Sequence, residues 1–278
     1  MESLSQKELV LVGGGHTHIQ VIRRFAMQPP PDTHLTIVLD RPLAVYSGMV
    51  PGFVAGQYSE DELEIDVVPL ARRAMARVIL SAAVRVDASR RLIYLKDRPP
   101  IKYDVASIDI GSTVAGLNFP GIREHAIPTR PVGQLVQRIN DLVTQVASRE
   151  RNTPFRVIVA GAGAGGVELA FTLRERLGVC SASEVHITLV HPFEDVLKGY
   201  PHGLRERVYR NAKDRNIEIV PNKRVQEAKQ DVVVYDDGSR MPYEALLWAT
   251  GAFSHSIFVD SKLPVDERGF VSTRDTLQ

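Results

Sequence analysis

The sequence predicts an α/β chain of two parallel-sheet nucleotide-binding units, and three observations carry that prediction. Residues 157–170 read VIVAGAGAGGVELA: an apolar strand-like run, then Gly161, Gly163 and Gly166 at G-x-G-x-x-G spacing, then an apolar helical pattern. The N-terminus repeats this order, with ELVLV at residues 8–12, Gly13, Gly14 and Gly15, and a helical pattern over 19–27. The two motifs lie about 150 residues apart, which is a domain's length. One dinucleotide per motif is the simplest reading.

The chemistry explains the residue types. Gly161 permits the tight turn out of the strand, Gly163 lets a pyrophosphate approach the backbone, and Gly166 lets the helix pack closely on the strand. The following helix offers free N–H groups and a positive dipole end to the phosphates. The alternative is a glycine-rich turn of some other α/β protein. In the first motif His18 stands at the third glycine position, an imperfect match. Its second strand, residues 35–39, ends on Asp40, an acid placed to accept hydrogen bonds from an adenosine ribose. In the second unit the corresponding residue, after the strand Val185–Val190, is His191. A neutral or cationic group there does not favour the 2′-hydroxyl of NAD and could tolerate the 2′-phosphate of NADPH. It could equally cap a loop.

Composition bounds the rest. The chain has 278 residues, 44% hydrophobic and 24% charged, with a formal net charge of +1. That is ordinary globular composition, with no electrostatic case for nucleic acid or an anionic membrane surface. No apolar run has the length of a membrane span, and the N-terminus has no signal-peptide apolar core. The single cysteine, Cys180, cannot form an internal disulfide, which points to a reducing, cytoplasmic setting.

In chain order, the prolines at 29–31 end the first helix. The loop holding Ser47, Gly48 and Met49 follows a nucleotide strand and is expected near the ligand-binding edge of the sheet, or as a plain connector. Residues 60–64 read as a solvated acidic helix start, and 67–75 as a helix. Strands are expected over 78–86, 91–95 and 105–110, with Gly111 and Ser112 following the last and suited to close passage beneath a cofactor. A long amphipathic helix is expected over 129–148, and the second motif's helix to about 177. Then come a helix over 204–216, a strand over 217–220, a hairpin tip at 236–238, and a strand LLWATG over 246–251 with Trp248 in the core. His16 and His18 flank a helix start without a cysteine or acidic cluster, so they are read as lining the phosphate turn or capping the helix, with no metal.

With these pieces placed, the chain resembles the two-dinucleotide-binding flavoproteins, the pyridine nucleotide-disulfide oxidoreductase family in its broad sense. Within it the chain looks most like the branch of type II NADH dehydrogenases and sulfide:quinone reductases. GGGHTHIQVIRRF and YSGMVPGFVAGQY look closer to a subgroup found alone or fused N-terminally to selenide, water dikinase. The resemblance implies two Rossmann-like domains, with an NAD(P) domain (120–251) inserted into an FAD domain (1–119 and 252–278). It implies FAD on Gly13, Gly15, His16, Asp40 and Arg41, with Ser47, Gly48 and Met49 near the flavin and Gly111 and Ser112 close to FAD. NAD(P)H would lie on Gly161, Gly163 and Gly166, with Glu168 near the nicotinamide. Thr250 and Gly251 would close the crossing back to FAD. Glu168 can also be read as an acid favourable to the helix dipole.

The activity so implied is an FAD-dependent NAD(P)H oxidoreductase passing electrons to a quinone or other small acceptor. Two departures stand out. The redox cysteine pair of the family's disulfide reductases has no match in residues 44–56. The family pattern also continues past VSTRDTLQ with a Gly-Asp segment and a C-terminal domain that makes dimer or membrane contacts, and this sequence stops before both. The rival expectation is a non-catalytic nucleotide-binding module or regulatory partner linked to selenophosphate synthesis; a flavin monooxygenase shares the two glycine motifs, but SGMVPG does not resemble that family.

Overall fold

The computed structural model describes residues 6–149, 153–181 and 183–278. The chain divides into two compact units, Met1–Tyr46 with Glu64–Thr113 and Phe253–Gln278, and Ser47–Leu63 with Val114–Ala252. The segment Ser47–Leu63 groups with the second unit because its short helix Val50–Val54 buries Val50, Phe53 and Val54 against two of that unit's long helices.

The first unit is built on strands β1 (Lys7–Val12), β2 (Thr33–Leu39), β3 (Arg77–Leu80) and β4 (Val105–Ile108), all parallel, in the order β3-β2-β1-β4. Helices α1 (His16–Met27) and α2 (Val67–Arg73) cover one face. Period-2 alternation sorts β1 between two cores. Leu11 packs with Ile19, Ile22, Phe25 and Val67 on the helix side. Val10 and Val12 pack with Ile93, Leu95 and Ile101 of the antiparallel strands Leu92–Leu95 and Ile101–Lys102 on the other.

The strand expected over 78–86 is two strands. The chain leaves the parallel sheet at Ser81, whose N–H donates to Leu39 O at 2.8 Å while its hydroxyl turns to Asp97. Ala83–Asp87 then begins the antiparallel sheet.

The second unit repeats the design. Strands β5 (Ile127–Pro128), β6 (Phe155–Ala160), β7 (Val185–Val190), β8 (Ile217–Val220) and β9 (Ala245–Trp248) form a parallel sheet in the order β5-β9-β6-β7-β8. Helices α3 (Val132–Ala147), α4 (Ala164–Cys180) and α5 (His202–Asp214) accompany it. An antiparallel set, Val225–Ala228, Val232–Tyr235 and Arg240–Pro242, packs Val225, Val233 and Tyr235 against Ile158, Leu246 and Trp248.

Helix α3 starts at Val132, not 129, because Pro131 takes the cap position. Helix α4 runs through Gly178 to Cys180, further than expected. A helical glycine costs only about 1 kcal/mol, and Leu169, Ala170, Leu173 and Leu177 bury the helix's inner face.

Candidate functional site: two glycine turns

Both glycine turns sit at the C-terminal ends of the first strands, beside the strand that reverses the sheet order (β1 next to β4, β6 next to β9). That switch point is where open α/β sheets bind ligands. The same backbone bonds hold each turn. Gly13 N donates to Val38 O and Gly161 N to Val190 O, each at 2.8 Å. Asp109 N donates to Val12 O and Ala249 N to Ala160 O, again at 2.8 Å. Gly13 and Gly161 adopt φ of 95° and 116°, in the region that favours glycine.

The second turn is open where a phosphate would lie. Gly163 is the N-cap of α4, with no side-chain cap, and a Cβ built on Gly163 or Gly165 meets nothing within 4 Å. Gly166 is closed: a Cβ there would lie 1.8 Å from Gly161 O. These residues fit a dinucleotide pyrophosphate, with the free N–H groups of α4 as its donors. Glu168 is exposed on α4, with Thr172 Oγ1 donating to its backbone carbonyl at 2.8 Å. Thr250 Oγ1 donates to Ala115 O at 2.6 Å, an oxygen shared with Trp248 Nε1 at 2.7 Å, and Gly251 is exposed at φ 108°.

His191 is placed differently from the expectation. It is 1% exposed, and neither ring nitrogen has a hydrogen-bond partner among the described residues. Burial lowers its pKa against the opposing field of Asp195. From this position the ring offers no surface to a 2′-phosphate. Nearby, Asp195 pairs with Arg205 at 2.5 Å and accepts from Tyr209 at 3.2 Å. The loop is tied to the glycine turn by Leu197 N donating to Ala162 O at 2.8 Å.

The first turn has the same backbone cradle with a different filling. His18 is fully buried; its Nδ1 lies 2.7 Å from Gly13 O and its Nε2 2.9 Å from Ser107 Oγ. A carbonyl only accepts, so Nδ1 carries the proton and Nε2 accepts from the serine hydroxyl. The ring is neutral: burial lowers its pKa, opposed by the Gly13 bond and by Asp109. His18 therefore braces the turn from within. His16 is exposed and meets Tyr46 edge-on, with ring centroids 4.5 Å apart.

Asp40 follows β2 directly and pairs with Arg41 at 3.1 Å, both partly exposed. Ser47 and Gly48 are exposed in a single 3-10 turn with Met49. Gly111 is exposed at φ 70° with open space around it, and Ser112 follows it half-buried.

Two residues here escaped the sequence reading. Asp109 places a carboxylate over Gly15, and its Oδ2 accepts from Thr17 N at 3.1 Å. His255 bonds the Ile110 backbone in the field of Asp40, and burial lowers its pKa against both. Asp109 was detectable by setting SIDIG (107–111) beside LWATG (247–251), where alanine stands in its place; His255 had no local signal.

Two parallel sheets, each with a glycine turn at its switch point, define a Rossmann-like α/β protein of the dinucleotide-binding class. The chain belongs to the pyridine nucleotide-disulphide oxidoreductase family, whose model matches residues 7–278. It is 25% identical over 267 residues to the NADH dehydrogenase-like protein YutJ of Bacillus subtilis, covering 95% of this chain and 70% of that one. It is 21% identical over 282 residues to a coenzyme A disulfide reductase of Staphylococcus haemolyticus, covering 98% of this chain and 60% of that protein. The structure of reduced CoADR-RHD from Bacillus anthracis matches with a TM-score of 0.82 at 21% identity, over 98% of this chain and 49% of that one, so the fold is shared. No described helix is long and apolar enough to cross a membrane.

Proposed function

We propose that the chain is the nucleotide-binding body of an FAD-dependent NAD(P)H oxidoreductase, with FAD on the first turn and NAD(P)H on the second. The observation that carries this reading is the repeat itself: two turns with one hydrogen-bond scheme, the second open to a phosphate at Gly163 and Gly165. When bound, the flavin and nicotinamide supply the hydride chemistry. The chain's own residues bind and orient. The α1 and α4 N-termini face the pyrophosphates, Asp40 accepts from the adenosine ribose, and the opening beside Gly111 and Ser112 admits FAD. Glu168, Thr250 and Gly251 would lie toward the nicotinamide of the second seat.

The acceptor we favour is a quinone or similar small molecule rather than a disulfide. Cys180, the sole cysteine, ends α4, about 25 Å of helix from the glycine turn. Residues 44–56 offer no thiol.

The test is an absorbance spectrum of the purified chain before and after anaerobic NADH or NADPH, followed by a soluble quinone or coenzyme A disulfide. Flavin bands that bleach with one nucleotide and return with quinone are expected. A colourless protein that takes up no added FAD would overturn the reading, and recovery with the disulfide alone would overturn the acceptor.

A further inference from the structure

The two turns correspond position by position, and two of their differences bear on the anion seat. A Cβ on Gly13 would lie 2.2 Å from Asp109 O, and one on Gly161 would lie 2.2 Å from Ala249 O. With the matching strand-end bonds, this makes Asp109 the counterpart of Ala249, as His18 is of Gly166. Ala249 ends in a methyl group. Asp109 ends in a carboxylate, and that carboxylate stands at the N-terminus of α1. Its Oδ2 takes the Thr17 N–H, and a Cβ on Gly15 would fall 2.0 to 2.2 Å from its carboxyl atoms. Gly15 N itself donates to the Asp109 backbone carbonyl at 3.1 Å.

A helix N-terminus favours one anion, and a pyrophosphate brought to these N–H groups meets a like charge at close range. The carboxylate is also easy to move. Among the described residues its only hydrogen bond is from Thr17 N, while the Asp109 backbone stays fixed to β1 through Val12 O. Rotation of the side chain would clear the seat without disturbing the sheet.

We propose that Asp109 is an internal occupant of the first turn's anion seat and sets its affinity for FAD. The carboxylate caps α1 in the free chain and leaves when the pyrophosphate binds. This rests on the reading of the first turn as the FAD seat.

The test compares wild type, Asp109→Ala and Asp109→Asn, each freed of flavin and then titrated with FAD by quenching of flavin fluorescence. Melting temperature is recorded with and without FAD. Asn keeps an oxygen for Thr17 N and guards against a folding defect; Ala copies the second turn. Both variants are expected to bind FAD at least about tenfold more tightly, because a like charge has gone. Free Asp109→Ala is expected to melt below free wild type, because a cap has gone, and to gain more from FAD.

A carboxylate that only caps the helix would lower both melting temperatures and leave FAD affinity unchanged or weaker, which overturns the proposal. Wild type that binds FAD while neither variant binds it more tightly overturns the inference alone. If no protein binds FAD, the functional reading falls and the inference with it.

Discussion

His18 shows how one side chain replaces a rule. The dinucleotide pattern asks for glycine there so that the helix can approach the strand, and in the second turn Gly166 meets that demand at 1.8 Å from the Gly161 carbonyl. In the first turn an imidazole does the holding, donating to the corresponding carbonyl of Gly13 and accepting from Ser107. Removing it leaves the buried Gly13 carbonyl and the half-buried Ser107 hydroxyl without this partner. His18→Ala is therefore expected to lose about 2–4 kcal/mol of unfolding free energy. His18→Asn, whose amide can donate to Gly13 O, should recover part of that loss. Denaturant melts check this, and a change below about 0.5 kcal/mol would remove the bracing role. The sequence reading placed His18 at the phosphate turn. It missed Asp109, because an aspartate at a strand end has no periodic or motif signal of its own; only the internal repeat exposes it.

Among elements, the strand–turn–helix β6–α4 separates folding from binding. Gly163 is extended, at φ −73° and ψ 178°, so any residue can adopt its backbone, and a methyl there meets nothing. Gly163→Ala is expected to cost no more than about 1 kcal/mol, the usual loss for alanine at an N-cap. It should still weaken NADH or NADPH binding about tenfold or more, because the methyl enters the phosphate's approach. Gly166→Ala drives a Cβ into the Gly161 carbonyl and should cost more than about 2 kcal/mol of stability. Paired melts and nucleotide titrations decide it; equal stability losses in both variants would refute the open cradle. Elements with strong periodicity were legible in outline. The ends were not: Pro131 sets the start of α3, and tertiary burial carries α4 past Gly178.

Across the molecule, the second sheet repeats the four-strand order of the first and adds β5 at its edge, and each unit packs an antiparallel set on its parallel sheet. The glycine motifs and strand runs announced the doubly built fold. The grouping of Ser47–Leu63 with the second unit depends on packing by Val50, Phe53 and Val54, which a loop-like SGMVPG did not signal.

Both units also hold histidines kept neutral by burial: His18 and His255 in the first and His191 in the second. Unfolded imidazoles titrate near about 6.5. The folded values lie lower, so on acidification the unfolded chain binds protons first. Stability is fully present above the unfolded value and is lost as pH falls toward the folded ones. The melting temperature should hold steady above about pH 7 and drop below about pH 6.5, and His191→Leu should flatten part of that slope. A level profile down to pH 5 would contradict the buried neutral rings.

The repeated turn has a further consequence for how the two halves could have diverged from one another. A β-carbon at the third glycine cannot enter a turn of the second kind while the first glycine's carbonyl stays 1.8 Å from it. The backbone must give way before or together with the histidine. One-step exchange of Gly166 for histidine would therefore give a poorly folded chain. A turn of the second kind is thus closed to that single exchange, whatever ligand it holds.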